Sequence, residues 1–480
     1  MTATKHKMTP AMIRVSLIVA CGLFMEQLDG SIIATALPKI AQSLQTEPLH
    51  LNLAITSYMF SLAVFIPLSG WVADRLGART VFKSAIIVFT LGSILCGLSF
   101  DLFSLVISRI LQGIGGAMMV PVGRLILLRT VPKSGLVDAM AWVSAPALLG
   151  PVLGPPIGGL IVSAFSWRWI FFINVPIGIA GYILSALYID NIRGRTREKL
   201  DIPGFLLVGA SMAGMVFAFE TVGRHLVPDW LVASMLGLGI VCMIGYLRHA
   251  TRIELPIIDF KLLRYKTYRI SIFGGSLFRI AIGALPFLMP LMLQYGFGMT
   301  PAASGFITLA SAAGMVLLRI IATAVLRQFG FKRVLLVTAV INAIFMGGCA
   351  LFTHMTPQSV IFIFLLIGGI FRSLEFTALN TIAYADMPEK YLSRANTLYN
   401  MLQQLMLSMG VAVGASFLNL TLYFRHETAL SEPAFAPTFT TIGLFSIVSL
   451  LFFTKLSPQA GGDMSGHRVS GEEVERRGMS

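Results

Sequence analysis

The sequence predicts an all-α membrane protein of fourteen transmembrane helices, with both termini in the cytoplasm. Three observations carry that expectation. Of 480 residues, 56% are hydrophobic and only 12% are charged, about half the charged share of an ordinary soluble domain. Apolar runs of about twenty residues, the length that crosses about 30 Å of hydrocarbon, recur along the chain. The basic residues alternate from loop to loop, as the positive-inside rule requires.

The runs fall at 14–36, 50–72, 81–99, 103–127, 136–164, 170–189, 204–223, 230–247, 270–293, 303–326, 334–353, 358–382, 396–422 and 436–454. Helices suit them because every backbone group in hydrocarbon must be paired within its own segment. A barrel would show alternating strands of about ten residues instead. With the N-terminus inside, the inner segments carry twenty-eight Lys and Arg residues. The outer loops carry four: Lys39, Arg168, Arg224 and Arg425. Four more, Arg109, Arg279, Arg319 and Arg372, lie within helices. The net charge of +14 is thereby explained by topology and anionic-lipid contact rather than by nucleic-acid binding.

Several classes are excluded. The four cysteines, Cys21, Cys96, Cys242 and Cys349, all sit in apolar runs without metal-ligand spacing, so packing is their role and no metal is expected. The first run is too long for a signal-peptide core and lacks a clear cleavage site, which makes it an uncleaved helix. No Walker sequence is present, so ATP does not drive the protein directly. No nucleophile–base constellation suggests an enzyme. No cofactor is expected.

The chain divides six, two, six. Residues 1–13 form a cytoplasmic N-terminus and 14–191 a first six-helix bundle. Residues 192–269 hold basic loops and two inserted helices. Residues 270–455 form the second bundle, and 456–480 a disordered cytoplasmic tail rich in Gly, Ser and charge. Duplicated six-helix halves with a site between them are a known transporter plan. A faint repeat supports this: GWVADRLGART, Gly70 to Thr80, follows the second run, and RQFGFKR, Arg327 to Arg333, follows the tenth.

Five motifs sharpen the picture. Gly70, Asp74, Arg75, Gly77 and Arg79 fit G-x-x-x-D-R-x-G-x-R in a loop that the charge pattern places inside. LVISRILQGIGGA, Leu105 to Ala117, puts Arg109 and Gln112 in a glycine-rich helix. GPVLGPPIGG supplies Gly150, Gly154, Pro155, Gly158 and Gly159; glycines four apart let helices approach closely and prolines weaken the local ladder. LDGSIIATALP begins at Leu28, and WRWIFFINVPIG spans Trp167 to Gly178. Together they resemble the signatures of the major facilitator superfamily, and of its fourteen-helix drug:proton antiporters of the EmrB/QacA type. The resemblance covers essentially the whole chain. It departs from that pattern at Ser31, Ala34 and Thr35, where Thr, Asn and Val are usual.

That resemblance implies a major facilitator fold and a proton-coupled exporter of amphipathic drugs in the bacterial inner membrane. Its expected partners are small amphipathic molecules, protons and lipid, and it is expected to be monomeric. It implies that the Gly70–Arg79 loop closes an inner gate. There Asp74 would sit against the N-terminal end of a facing helix, near Ser393, and the arginines would bridge the halves. It also implies that the Gly150–Gly159 stretch marks exporters.

Charges inside membrane helices are costly unless they face a cavity or a partner. Glu26 and Asp29 lie three residues apart, on one helix face. Depth estimated from the helical rise puts Asp29 and Arg109 at similar levels, so both can face one cavity. Burial favours a neutral carboxyl and a neighbouring guanidinium favours its anion, so a movement that changes both can load and release a proton. Asp29 is the expected proton carrier, with Glu26 assisting or meeting cationic substrate and Arg109 tuning the site. A permanently locked Asp29–Arg109 pair is the competing reading. In the second half, Arg372 and Glu375 also share a face, and depth suggests that Arg279 pairs with Glu375. Arg319 lies nearer the cytoplasm, where it can snorkel. The 24 Met and 34 Phe suit either a polyspecific pocket or ordinary packing. A dedicated exporter of one metabolite, such as a siderophore or amino-acid derivative, is the alternative function. A non-transporting receptor would need an output domain, and none is visible.

Overall fold

A computed structural model describes residues 9–46, 51–194, 199–222, 227–317, 322–427 and 430–466. Arg319 lies outside them. The long helices are α1 (Pro10–Ser43), α2 (Leu53–Leu76), α3 (Ala78–Leu98), α4 (Leu102–Thr130), α5 (Leu136–Ala164), α6 (Trp169–Tyr188) and α7 (Ile202–Thr221). They continue with α8 (Asp229–Ala250), α9 (Lys266–Gly296), α10 (Pro301–Leu317), α11 (Ala322–Gly348), α12 (Gln358–Ile382), α13 (Leu392–Phe424) and α14 (Glu432–Phe453). No strand occurs among the described residues. Twelve helices there are long and apolar enough to cross a membrane, all of these except α5 and α10.

Local signals set the ends. Thr9 accepts from Met12 N at 3.3 Å ahead of Pro10, a side-chain cap followed by a proline whose missing N–H costs nothing there. Asp101 and Ser104 form a reciprocal capping box at the start of α4. Asp201 accepts from Gly204 N at 2.9 Å to open α7. The turn between α2 and α3 is a single residue, Gly77, at φ 94°. Its counterpart in the faint repeat, Gly330, stands at φ 72° and breaks α11 into residues 322–329 and 331–348. Both positions need the left-handed backbone that glycine alone adopts freely.

The packing repeats as well. Helix α1 packs on α5 as α9 packs on α13. Helix α2 packs on α4 as α10 packs on α12, and α3 on α6 as α11 on α14. The pair α7 and α8 pack on each other; α7 also touches α2 of the first half and α13 of the second, while α8 is largely exposed. Residues 456–466, assigned to the tail, are not free. Leu456 and Met464 are buried, and the short α15 (Gly462–Ser465) packs on α11. Residues 467–480 lie outside the described part.

Candidate functional site

The first half buries a polar network built from four helices. Asp29 of α1 and Arg109 of α4 are both 0% exposed, with Arg109 Nη1 at 2.5 Å from Asp29 Oδ2. The other carboxylate oxygen, Oδ1, accepts from Gln112 Nε2 and from Asn174 Nδ2 of α6, each at 2.8 Å. Ser93 Oγ of α3 accepts from the same two amides at 2.7 and 3.2 Å. Arg109 also donates to Gln112 Oε1 at 2.6 Å and, through Nε, to Ala54 O at 3.2 Å. Its guanidinium lies 4.4 Å from the Tyr58 ring centroid. A buried ion pair is tolerated only when its remaining lone pairs and protons are also satisfied, and here three donors surround one carboxylate. Two groups of the network have no partner: Arg109 Nη2 and Asn174 Oδ1 are buried and unbonded.

Glu26 lies one turn away and is held more loosely. Its Oε2 accepts from Gln27 Nε2 at 2.8 Å, and its Oε1 lies 3.4 Å from the Tyr58 hydroxyl. Tyr58 therefore connects the two acids, touching Glu26 with its hydroxyl and Arg109 with its ring.

Glycines permit these approaches. A Cβ at Gly92 would stand 2.7 Å from the Gln112 backbone, and one at Gly115 2.5 Å from Phe89 N, so α3 and α4 meet backbone to backbone. On α5, a Cβ at Gly150 would lie 2.7 Å from Leu28 N, and one at Gly154 2.0 Å from Ser31 Oγ. Ser31 Oγ donates to Gly150 O at 3.1 Å. The α5 motif is thus seated on the turn of α1 that carries Asp29. Gly158 is buried, whereas Gly159 faces open space. The Pro155 side chain lies outside the described set.

The Gly70–Arg79 loop is held by several contacts. Asp74 is ion-paired with Arg129 of α4, and Asp74 O accepts from Gly194 N at 3.0 Å. Arg79 donates to Ile189 O at 3.2 Å, and Arg75 lies over Trp71. These contacts brace the loop against the first half. Gly70 reaches the second half: its carbonyl accepts from Ser393 Oγ at 3.0 Å, and a Cβ there would lie 2.4 Å from Thr397 Oγ1. Nearby, Asn396 Nδ2 donates to Pro121 O at 2.7 Å, Lys133 Nζ to Ala385 O at 2.8 Å, and Thr323 Oγ1 to Asp138. The two halves are fastened together at this end. A Cβ on Gly77 would meet Asn191 Oδ1 at 2.1 Å on a strained backbone. Gly77→Ala should cost about 1–3 kcal/mol and lower the melting midpoint of the purified protein. Gly305→Ala, which meets nothing within 4 Å, should leave the midpoint in place.

In the second half, Arg279 and Glu375 do not pair. Glu375 Oε2 accepts from Asn342 Nδ2 at 2.6 Å, while Arg279 donates to the Tyr399 hydroxyl and, at 3.5 Å, to Asn380 Oδ1. Arg372 turns to α10 and donates to Ser311 Oγ at 2.6 Å. Equal depth brought these groups to one level but not to one angle around the bundle. Sequence reasoning also passed over Arg124, which the charge count assigned to the cytoplasmic side. It is buried on α4, with its guanidinium 5.6 Å from the Tyr399 ring centroid of α13. Asn174 and Ser93 were missed too; a lone polar residue inside an apolar run is the signal that marks them. No cluster of metal-ligating side chains occurs among the described residues.

Comparisons with known proteins agree with this architecture. The family profile "Major Facilitator Superfamily" matches residues 19–411. A protein of Escherichia coli O6:H1 named "Putative multidrug resistance protein MdtD" is 37% identical over 442 residues, covering 91% of this chain and 92% of its own. Its Escherichia fergusonii counterpart of the same name is 36% identical over 446 residues, 92% of this chain and 93% of its own. The crystal structure of the human organic anion transporter MFSD10 superposes with a TM-score of 0.64, at 14% identity, over 93% of this chain and all of its own. That last likeness concerns the fold alone.

Proposed function

Because the chain belongs to the Major Facilitator Superfamily, we propose that it is a proton-coupled secondary exporter of amphipathic and hydrophobic drugs, working by alternating access in the bacterial inner membrane. It is a transporter and not an enzyme. The observation that carries the reading is the fully buried Asp29–Arg109 pair, seated where the α5 glycines clasp α1. The name borne by the relatives in Escherichia supports the drug class. In this reading α5 and α10 join the twelve long apolar helices to make fourteen spans. The one-sided distribution of Lys and Arg supports cytoplasmic termini. The protein works as a monomer.

The proton step follows from the network. Arg109 and two amides hold the Asp29 carboxyl group in the closed network. A proton arriving from outside neutralises the carboxylate and removes the counter-charge of Arg109. A guanidinium buried without its partner is costly, so the protonated network favours a different arrangement of α1 against α4 and α6. Helix α5 moves with α1 because their backbones are in contact. Glu26 feels the change through Tyr58 and offers a carboxylate to a cationic substrate. Return of the proton to the cytoplasm restores the pair, and the fastening at Gly70 and Ser393 opens and closes in step.

Inverted vesicles test this. With an acidic interior, they should accumulate a fluorescent cationic dye, and a protonophore should abolish the accumulation. Accumulation that survives without a proton gradient would sink the coupling. If no common drug moves while the protein is folded and inserted, a dedicated metabolite exporter replaces the polyspecific reading.

A further inference from the structure

Two buried cations at the fastened end have no carboxylate in hydrogen-bonding contact. Arg124 of α4 is 8% exposed and Arg279 of α9 is 3% exposed. They lie over one ring, Tyr399 of α13, at 5.6 and 4.7 Å from its centroid. One belongs to the first half and the other to the second. Among the described residues neither has a carboxylate within 4 Å, in contrast to Arg109 with Asp29. Their partners are neutral: the Tyr384 hydroxyl for Arg124, and the Tyr399 hydroxyl and Asn380 for Arg279. Glu375 lies within coulombic range of Arg279 but is hydrogen-bonded to Asn342. One N–H on each guanidinium is buried without an acceptor, Arg124 Nη1 and Arg279 Nε.

Such an arrangement is expensive. A cation over an aromatic face recovers only part of what taking one charge out of water costs. The seam they occupy lies beside the contact of Asn396 with Pro121, between halves that alternating access must part. When this end opens, water and solute reach both cations together.

We propose that Arg124 and Arg279, with the Tyr399 ring between them, form a binding site for the anionic group of a transported amphipath, a carboxylate in the first instance. The inference rests on the exporter reading and names a substrate class for it: molecules that carry an acid as well as an apolar body. The aromatic ring meets the apolar body and the two unsatisfied N–H groups meet the acid. A bidentate or bridged carboxylate is the geometry that guanidinium groups favour.

The test uses a matched pair of dyes, a rhodamine with a free benzoate and its methyl ester. Each is titrated against the full-length protein in phosphatidylcholine nanodiscs and followed by fluorescence anisotropy. The wild type should bind the acid more tightly than the ester. Arg124→Gln should reduce the acid-to-ester affinity ratio about tenfold, the size of one charge-assisted contact. Arg124→Lys should restore part of it. Equal binding of the two dyes by the wild type would overturn the proposal. So would an Arg124→Gln effect of equal size on both dyes, which marks a purely structural role. Nanodiscs with added phosphatidylglycerol separate the sources of the anion. If that lipid competes with the acid only when Arg124 is present, the site holds a headgroup and the substrate assignment falls. Ester uptake is measured in parallel with the same proteins in inverted vesicles. Its loss in the wild type would defeat the exporter reading, while the dye preference judges this site alone.

Discussion

Asp29→Asn should abolish proton-driven uptake into inverted vesicles while leaving dye exchange between pre-equilibrated compartments. The drop in coupled initial rate should be about a hundredfold, equivalent to about 2.7 kcal/mol. The amide is nearly isosteric with the carboxylate and imitates its protonated form, so the step that cannot occur is proton release. The replacement also leaves Arg109 buried without its counter-charge, which costs about 3–5 kcal/mol when one member of a buried pair is removed. Poor folding could therefore imitate loss of coupling. The double variant Asp29→Asn with Arg109→Gln removes both charges and should recover much of the thermal stability without recovering coupling. Coupling retained by Asp29→Asn at matched expression would show that the pair is a structural lock. The proton would then travel through Glu26 or Glu375, both buried and each with an unequal pair of carboxylate oxygens.

The Asp29–Arg109 pair was legible because two separate signals agreed. Each charge was out of place in an apolar run, and the helical rise put both at one depth. The same method failed for Arg279 and Glu375. Depth fixes height along the membrane normal but not rotation about a helix axis, and a rotation of one residue, about 100°, separates neighbours from strangers. Asn174, Ser93 and Gln112 complete the cage around Asp29, yet their convergence depends on three helix rotations at once. The backbone signals read more surely. Gly77 and the faint echo RQFGFKR pointed to matching turns, and both Gly77 and Gly330 have positive φ. Arg124 was obscured by a rule that works on average: a basic residue near a cytoplasmic helix end is usually explained by topology, so its burial against α13 left no mark in the charge count.

The loop between α2 and α3 shows a different limit. Its spacing identified it, but the partners of Asp74 and Arg79 come from α4 and the segment after α6, far away in sequence. A motif names the residues that matter; it does not say to which side each one reaches. Gly70, the least conspicuous member, touches the second half through its carbonyl.

Gly150→Val and Gly154→Val should stop export without preventing insertion. At Gly150 an added Cβ would stand 2.7 Å from both Gln27 Cβ and the Leu28 backbone nitrogen, and backbone cannot rotate aside. At Gly154 it is Ser31 Oγ at 2.0 Å, with Ile32 N at 3.1 Å behind it. A bulky side chain at either position forces α5 away from the turn of α1 that carries Asp29. Overpacking of this kind costs about 1–3 kcal/mol, which a long helix in a bilayer survives. Transport is more exposed, because the displaced α1 can no longer hold Asp29 within 2.5 Å of Arg109 in the closed network. Gly159→Ala is the internal control: no neighbouring helix comes within 4 Å of its Cβ position among the described residues, and uptake should match the wild type. Dye uptake in inverted vesicles, normalised to protein inserted, separates the cases. If Gly150→Val transports normally, contact between α5 and α1 is packing alone, and coupling does not pass through it. If Gly159→Ala fails as badly as the other two, the motif acts through flexibility of α5 rather than through its fit against α1, and the glycines would have to be tested by replacing the prolines between them.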